Sequence, residues 1–353
     1  MVRHLAVEFG NSGSYTHEYG TAARKAVEHA RDQVSAAISA RRSEVFFTSG
    51  ATEANNLALL GVARGHIVTT EIEHPAVLEP LRVLEKRGLE VTRIAPTPGG
   101  WVRAEEMLAA IRPDTSIVSV MHVNNETGVM QPVIEIAEGM SGSSATLHVD
   151  ASQGFGKIVG PLRHPRIDLM SISAHKMGGP QGVGALIVRK RVRPALQPLM
   201  FGGGQEAGVR PGTLPVHLIA GFGLAAELSV SEAETRGVFA RQFQKRVLEG
   251  LKPAGFVVNG DLNRLSPYIL NVSFTGLDNQ LVTEAWATLA AVSNGSACTS
   301  QQAHCSHVLH AMGYSDLRAA SAIRLSWGPQ TETPDFDAMV SALQMLPKEE
   351  VHG

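Results

Sequence analysis

The stretch Asp168-Leu169-Met170-Ser171-Ile172-Ser173-Ala174-His175-Lys176-Met177-Gly178-Gly179-Pro180-Gln181-Gly182-Val183-Gly184 decides the fold. Residues 168–172 form an apolar run of strand character, whereas 177–184 hold too much glycine and proline for helix or strand. Lys176 therefore leaves a buried strand on a tight turn whose shape the backbone sets. Alone, such a lysine reads as a solvated side chain, since lysine is seldom buried. A second strand, ending at His148-Val149-Asp150-Ala151-Ser152-Gln153, delivers a carboxylate 26 positions earlier. A strand-end Asp alone reads as a cap or turn residue. Together, an amine and an acid at strand ends suit an enzyme working through pyridoxal phosphate. The amine joins the cofactor as a Schiff base, and the acid keeps the pyridine nitrogen protonated so the ring can take up electrons.

Outward from that stretch, strand-like segments recur at 44–48, 66–70, 89–94, 117–123, 145–149, 169–173 and 185–189. Helical stretches lie at 21–40, from Thr52 onward, 75–87, 104–111 and 134–140, while residues 1–20 read as irregular. Such alternation predicts an α/β fold, a mostly parallel central sheet between helical layers. Ligands in these sheets gather at the carboxyl ends of the strands, where the candidate residues sit. Helices at 214–228 and 232–251 precede strand-like 256–259 and 268–274, which predicts a small α+β domain over 235–353.

Bulk properties exclude several classes. The chain has 353 residues with 31 basic and 33 acidic side chains, net charge -2, without a basic block. Direct binding of nucleic acid or a membrane surface is not indicated. No apolar run reaches membrane-spanning length, and Met1-Val2-Arg3-His4-Leu5 opens no signal peptide. Two cysteines, Cys298 and Cys305, make no disulfide framework and fit a reducing cytoplasm. Their separation matches no usual zinc spacing.

Further motifs fall in order along the chain. Ser49-Gly50-Ala51-Thr52-Glu53 lies at a strand-to-helix turn, suited to phosphate or to a plain N-cap. His74 precedes Pro75, which sets it at a helix start, either as a cap or as a ring stacked on a planar cofactor. Asn124-Asn125-Glu126-Thr127-Gly128 follows a strand, with Asn125 able to bond a phenolic oxygen or to serve an ordinary turn. Gly202-Gly203-Gly204-Gln205-Glu206 and Arg210-Pro211-Gly212-Thr213 read as an anion-approaching loop or a linker. Ser293-Asn294-Gly295-Ser296-Ala297-Cys298-Thr299-Ser300 has no large side chain, and an exposed thiol in such a loop is expected to be used. Arg324 in Ile323-Arg324-Leu325-Ser326 can clamp a substrate carboxylate or form a structural ion pair.

These motifs together resemble the cysteine desulfurases, fold-type I pyridoxal-phosphate enzymes, over essentially the whole chain. The Cys298 loop is similar to the long-loop class of the nitrogen-fixation and iron–sulfur-cluster enzymes. The resemblance implies that Lys176 binds the cofactor covalently, Asp150 pairs with its ring nitrogen and His74 stacks on the ring. It implies that Asn125 and Gln153 contact the ring's oxygen side, and that Ala51, Thr52, Ser173 and His175 hold the phosphate. Thr213 would reach the phosphate of a partner subunit, making a homodimer with shared sites. Asn11 and Arg324 would bind the carboxylate of L-cysteine. Cys298 would take the sulfur as a persulfide, with transient ligation of an iron–sulfur cluster as a further use, and no resident metal is expected. Residues 11–234 would form the large cofactor-binding domain, with 1–10 and 235–353 forming the small domain that carries a mobile cysteine loop.

Ser12 stands where the family usually has proline, and the chain starts almost at Gly10-Asn11, ahead of which the family usually has a strand. Its C-terminal end is shorter than in the housekeeping enzymes, which favours a specialised sulfur acceptor, such as a DNA phosphorothioation system or a dedicated cluster protein. The alternatives are an aminotransferase or selenocysteine lyase of the same fold, which would not need Cys298, and a non-catalytic sulfur-relay partner.

Overall fold

The computed structural model describes residues 1–294 and 306–347. Cys298 and Cys305 lie outside the described residues. The chain divides into two compact units: 1–94, 104–122 and 132–233, then 95–103, 123–131 and 234–353. The main division falls between Ala233 and Glu234. Residues 1–10, expected with the small domain, belong to the first unit, because α1 (Val2–Ala6), also unforeseen, packs against α7 (Val216–Ser231). Segments 95–103 and 123–131 belong to the second unit, where the Val102 amide donates to Gln131 Oε1 at 3.0 Å.

In the first unit, seven strands form one sheet: β1 (Val45–Thr48), β2 (His66–Thr70), β3 (Val91–Ile94), β4 (Thr115–Met121), β5 (Thr146–Asp150), β6 (Leu169–Ser173) and β7 (Gly184–Val188). Their order is β1-β7-β6-β5-β4-β2-β3. Only β7 runs against the rest. The helices are α2 (Glu18–Ala37), α3 (Ala51–Val62), α4 (Pro75–Lys86), α5 (Ala104–Ala109), α6 (Val133–Gly139) and α7. Both faces of the sheet are covered, and neighbouring residues of β1 show it. Phe46 packs into a core with Leu57 and Val62 of α3 and Leu81 of α4. Phe47, pointing the other way, meets Phe222 of α7 edge-to-face. Helix α2 starts at Glu18, earlier than the composition suggests, because His17 Nδ1 accepts from the Gly20 amide and caps it.

The strand directions bring one end of every strand to a common edge. Thr48, Ser173, Asp150, Met121 and Thr70 close β1, β6, β5, β4 and β2 there. The reversed β7 contributes its first residue, Gly184, paired with both Thr48 and Ser173.

The second unit holds α8 (Ala233–Leu251) from Glu234 onward and a four-stranded antiparallel sheet of order β10-β11-β9-β8. Its strands are β8 (Val257–Val258), β9 (Ile269–Ser273), β10 (Ser293–Asn294) and β11 (Ala322–Ser326), with α9 (Asn279–Ala285), α10 (His307–Ala311), α11 (Asp316–Ala320) and α12 (Phe336–Gln344) between and after them. Phe274 and Trp286 cross at 90° in its core. Among the described residues no single helix is long and apolar enough to cross a membrane.

Candidate active site

Asp150 ends β5 at the shared edge and is buried. Its Oδ1 accepts from the Ser152 amide at 2.9 Å and the Ser152 hydroxyl at 2.5 Å. Its Oδ2 accepts from Asn55 Nδ2 of α3 at 2.7 Å. Three donors thus fix both oxygens of the carboxylate.

Beside it, β6 runs into a single tight turn, Ala174–Met177, that carries Lys176. Gly178 closes the turn at φ +88°, a conformation glycine adopts without strain, and the Gly179 amide returns to the Ala174 carbonyl at 3.0 Å. Lys176 and His175 are exposed, and Ser173 Oγ lies 2.8 Å from His175 Nδ1. Burial, then the cations of Lys176 and Lys157, hold His175 below the usual imidazole range.

Helix α3 begins above the same turn with Gly50 as its N-cap. A Cβ on Gly184 would stand 2.7 Å from the Gly50 Cα, so glycine there lets the helix start seat directly on β7. Ala51 and Thr52 open the helix, where first-turn amides have no intrahelical acceptor and favour an anion. The Glu53 carboxylate turns away to Arg210 Nε, 2.8 Å, and the Ser49 amide, 2.7 Å. Burial would raise Glu53, but these partners hold it below the usual carboxylate range.

His74 is the N-cap of α4, half-buried, with Pro75 next and Nδ1 accepting from the Ala76 amide at 3.0 Å. In the neutral ring that bond leaves the proton on Nε2. The cap bond fixes the orientation of the ring. Gln153 is buried, and Lys157 Nζ donates to its Oε1 at 3.2 Å. The turn bearing Lys157 lies against the Lys176 turn: a Cβ on Gly156, at φ +77°, would stand 2.7 Å from Met177 Cβ. Burial and the Lys176 cation push Lys157 down to about 8.

Behind the edge lies a polar layer. Glu73 is fully buried, and its Oε1 accepts from the Thr70 hydroxyl and the Met121 amide, each at 2.8 Å. Burial pushes Glu73 up to about 8, and the nearby Asp150 charge adds to this. His148, two residues below Asp150 on the same face, lies 2.8 Å from Ser119 Oγ and 3.0 Å from Ser171 Oγ, bridging β4, β5 and β6. Burial pushes His148 and His122 each down to about 4. Burial thus disfavours the charged form of all three groups.

Thr213 is exposed, on a loop tied down by Glu206. Both Glu206 oxygens accept from the Arg31 guanidinium, at 2.7 and 2.9 Å, and Oε2 also accepts from the Phe47 amide at 2.7 Å. Glu206 and Ala207 lie at φ +48° and +52°, strain that this buried pair sustains. Asn11 is exposed, and its Oδ1 accepts from the Gly13 amide at 2.9 Å, a turn contact. Asn125 and Arg324 belong to the second unit, where Arg324 Nη1 donates to the Asn125 carbonyl at 3.0 Å. Within the first unit the structure therefore brings together Lys176, Asp150, Ser173, His175, Gln153, Ala51 and Thr52.

Sequence reading missed Asn55, Lys157 and Glu73. Asn55 had one signal: a polar side chain among Ala54, Leu57 and Ala58 on the buried face of a helix. Glu73 sat unremarked beside His74, and Lys157 followed a glycine in a turn.

The chain belongs to the aminotransferase class-V family, which matches residues 1–339, and within it to the cysteine desulfurases. It is 42% identical over 354 residues to the cysteine desulfurase IscS of Vibrio cholerae, covering 98% of this chain and 87% of the relative. The crystal structure of DndA from Streptomyces lividans superposes with a TM-score of 0.82 at 46% identity, covering 93% of this chain and 94% of that one. SspA in complex with cysteine gives a TM-score of 0.80 at 34% identity, covering 93% of both chains.

Proposed function

We propose that this enzyme binds pyridoxal phosphate at the β5–β6 edge and removes sulfur from L-cysteine, giving L-alanine and a persulfide on Cys298. The observation that carries the proposal is the pairing of a triply hydrogen-bonded, buried Asp150 with Lys176 on the next strand end. The donor set fits the cofactor. A buried carboxylate held at both oxygens suits a pyridinium nitrogen, and the α3 start with Ser173 and His175 suits a phosphate. The cofactor, when bound, supplies an electron sink for charge developing at the substrate's α-carbon.

The chain's own residues do the rest. Lys176 Nζ would anchor the cofactor and, as a free amine, would hold the substrate's α-proton. Asp150 holds the ring-nitrogen proton, and Gln153, oriented by Lys157, addresses the ring's oxygen side. Asn125, Asn11 and Arg324 serve the ring oxygen and the substrate carboxylate, and Thr213 serves the partner subunit's phosphate in a homodimer. The Cys298 thiolate attacks the substrate sulfur. The new S–S bond forms as the Cβ–S bond breaks, its electron pair passes to Cβ, and a proton completes the methyl group of alanine. The resemblance to IscS, and to SspA, whose structure is a complex with cysteine, supports L-cysteine as substrate. The persulfide then passes to an acceptor protein for iron–sulfur assembly or thio-modification of DNA.

The test is incubation of the cofactor-loaded protein with L-cysteine, with alanine and the mass of Cys298 as readouts. Alanine with one added sulfur on Cys298 is expected. Cys298→Ser should keep the cofactor's colour and lose turnover, and Lys176→Ala should lose both. Turnover that survives Cys298→Ser would instead identify an aminotransferase or lyase.

A further inference from the structure

We propose that Asn55 is a positioning residue for Asp150: its amide aims the carboxylate at the cofactor's ring nitrogen and moderates how strongly that acid draws the shared proton. The inference rests on the pyridoxal-phosphate reading above. Asn55 is fully buried on the sheet-facing side of α3, among Ala54, Leu57 and Ala58. Its Nδ2 donates to Asp150 Oδ2 at 2.7 Å, yet its Oδ1 is buried without a hydrogen-bond partner among the described residues. A buried, unsatisfied acceptor is destabilising, and a leucine of similar size would fill the same space without one. Packing therefore does not account for an amide at this position, whereas the single bond to Asp150 does.

The surroundings explain why that bond matters. Ser152 secures Oδ1 alone, so without Asn55 the carboxylate could rotate about one anchored oxygen. Glu73 and His148 interact electrostatically with Asp150, and burial disfavours the charged form of each. Asn55 is thus the donor that stabilises negative charge on Oδ2, and donors of this kind lower the proton affinity of a carboxylate.

The experiment compares wild type with Asn55→Leu and Asn55→Ser as holoenzymes, reading cofactor dissociation, the pH midpoint of the lysine-linked cofactor's visible absorbance, and the melting temperature without cofactor. For Asn55→Leu we expect a lower melting temperature, since the buried Asp150 Oδ2 loses a donor and this outweighs removal of the orphaned amide oxygen. We also expect cofactor affinity to fall about tenfold through loss of a charge-assisted bond. The absorbance midpoint should move upward by about 0.5 unit or more, because a more basic Asp150 draws the proton from the ring. Asn55→Ser, too short to reach, should move affinity and midpoint the same way and keeps the test open if the leucine variant fails to fold. Affinity within about twofold and a midpoint within about 0.3 unit of wild type in either folded variant would overturn the role. A wild-type protein that takes up no cofactor would instead overturn the reading beneath it.

Discussion

The polar layer behind the sheet edge makes a signed prediction about stability. Glu73 lies buried beside Asp150, and its carboxyl is pushed up to about 8, against 4.5 when unperturbed. A group whose folded pKa is raised contributes stability that is full below the unfolded value and is lost as pH climbs through the folded one. Wild type should therefore weaken between about pH 5 and about pH 8, where the unfolded chain has released a proton that the fold retains. The whole interval corresponds to roughly 4–5 kcal/mol at 1.36 kcal/mol per unit, and local relaxation around the ionised group reduces the expected loss to about 2–4 kcal/mol. Glu73→Gln keeps an acceptor for Thr70 and Met121 but carries no proton to lose. Urea unfolding of both proteins at several pH values gives the difference curve, in which contributions from His122 and His148 cancel. The difference should shrink or change sign in favour of the variant as pH rises. Parallel pH dependences would refute a neutral buried Glu73.

Two further expectations follow from ion pairs and amines elsewhere in the first unit. Glu206→Gln leaves the largely buried Arg31 guanidinium with only the more exposed Glu28 carboxylate and should destabilise by about 2–4 kcal/mol, with faster proteolysis of the strained 201–213 loop as the local readout. Lys157, held near 8, is about half neutral at pH 8, whereas an ordinary lysine is neutral to well under 1%. Trace labelling with an amine reagent at that pH, followed by mass mapping, should show Lys157 enriched over surface lysines. Lys176→Met should reduce that enrichment by removing the neighbouring cation.

Much of this architecture was legible because the signals are local. The run from Asp168 to Gly184 specifies strand, turn and strand within itself, and the alternation from Val45 to Val188 specifies a parallel sheet with its ligand edge. His74 was legible through Pro75, and Asp150 through its place at the end of an apolar run. What stayed hidden depends on tertiary placement. Nothing near Asn55 in the chain announces a carboxylate 95 residues away. The excursions 95–103 and 123–131 into the second unit carry no change of composition, because each is only a short crossing held by contacts such as Val102 to Gln131. Helix α1 is short and exposed, so its sequence shows no periodicity to read.

The reversed strand β7 has a consequence for how the enzyme comes together. Since β6 and β7 form a hairpin, the loop bearing the amine is bounded by neighbours close in the chain and needs little loop closure to take shape. The acid's support arrives differently, through α3 docking from far upstream. The two halves of the edge thus differ in reach: the turn bearing Lys176 is closed by adjacent chain, whereas Asn55 meets Asp150 across 95 residues.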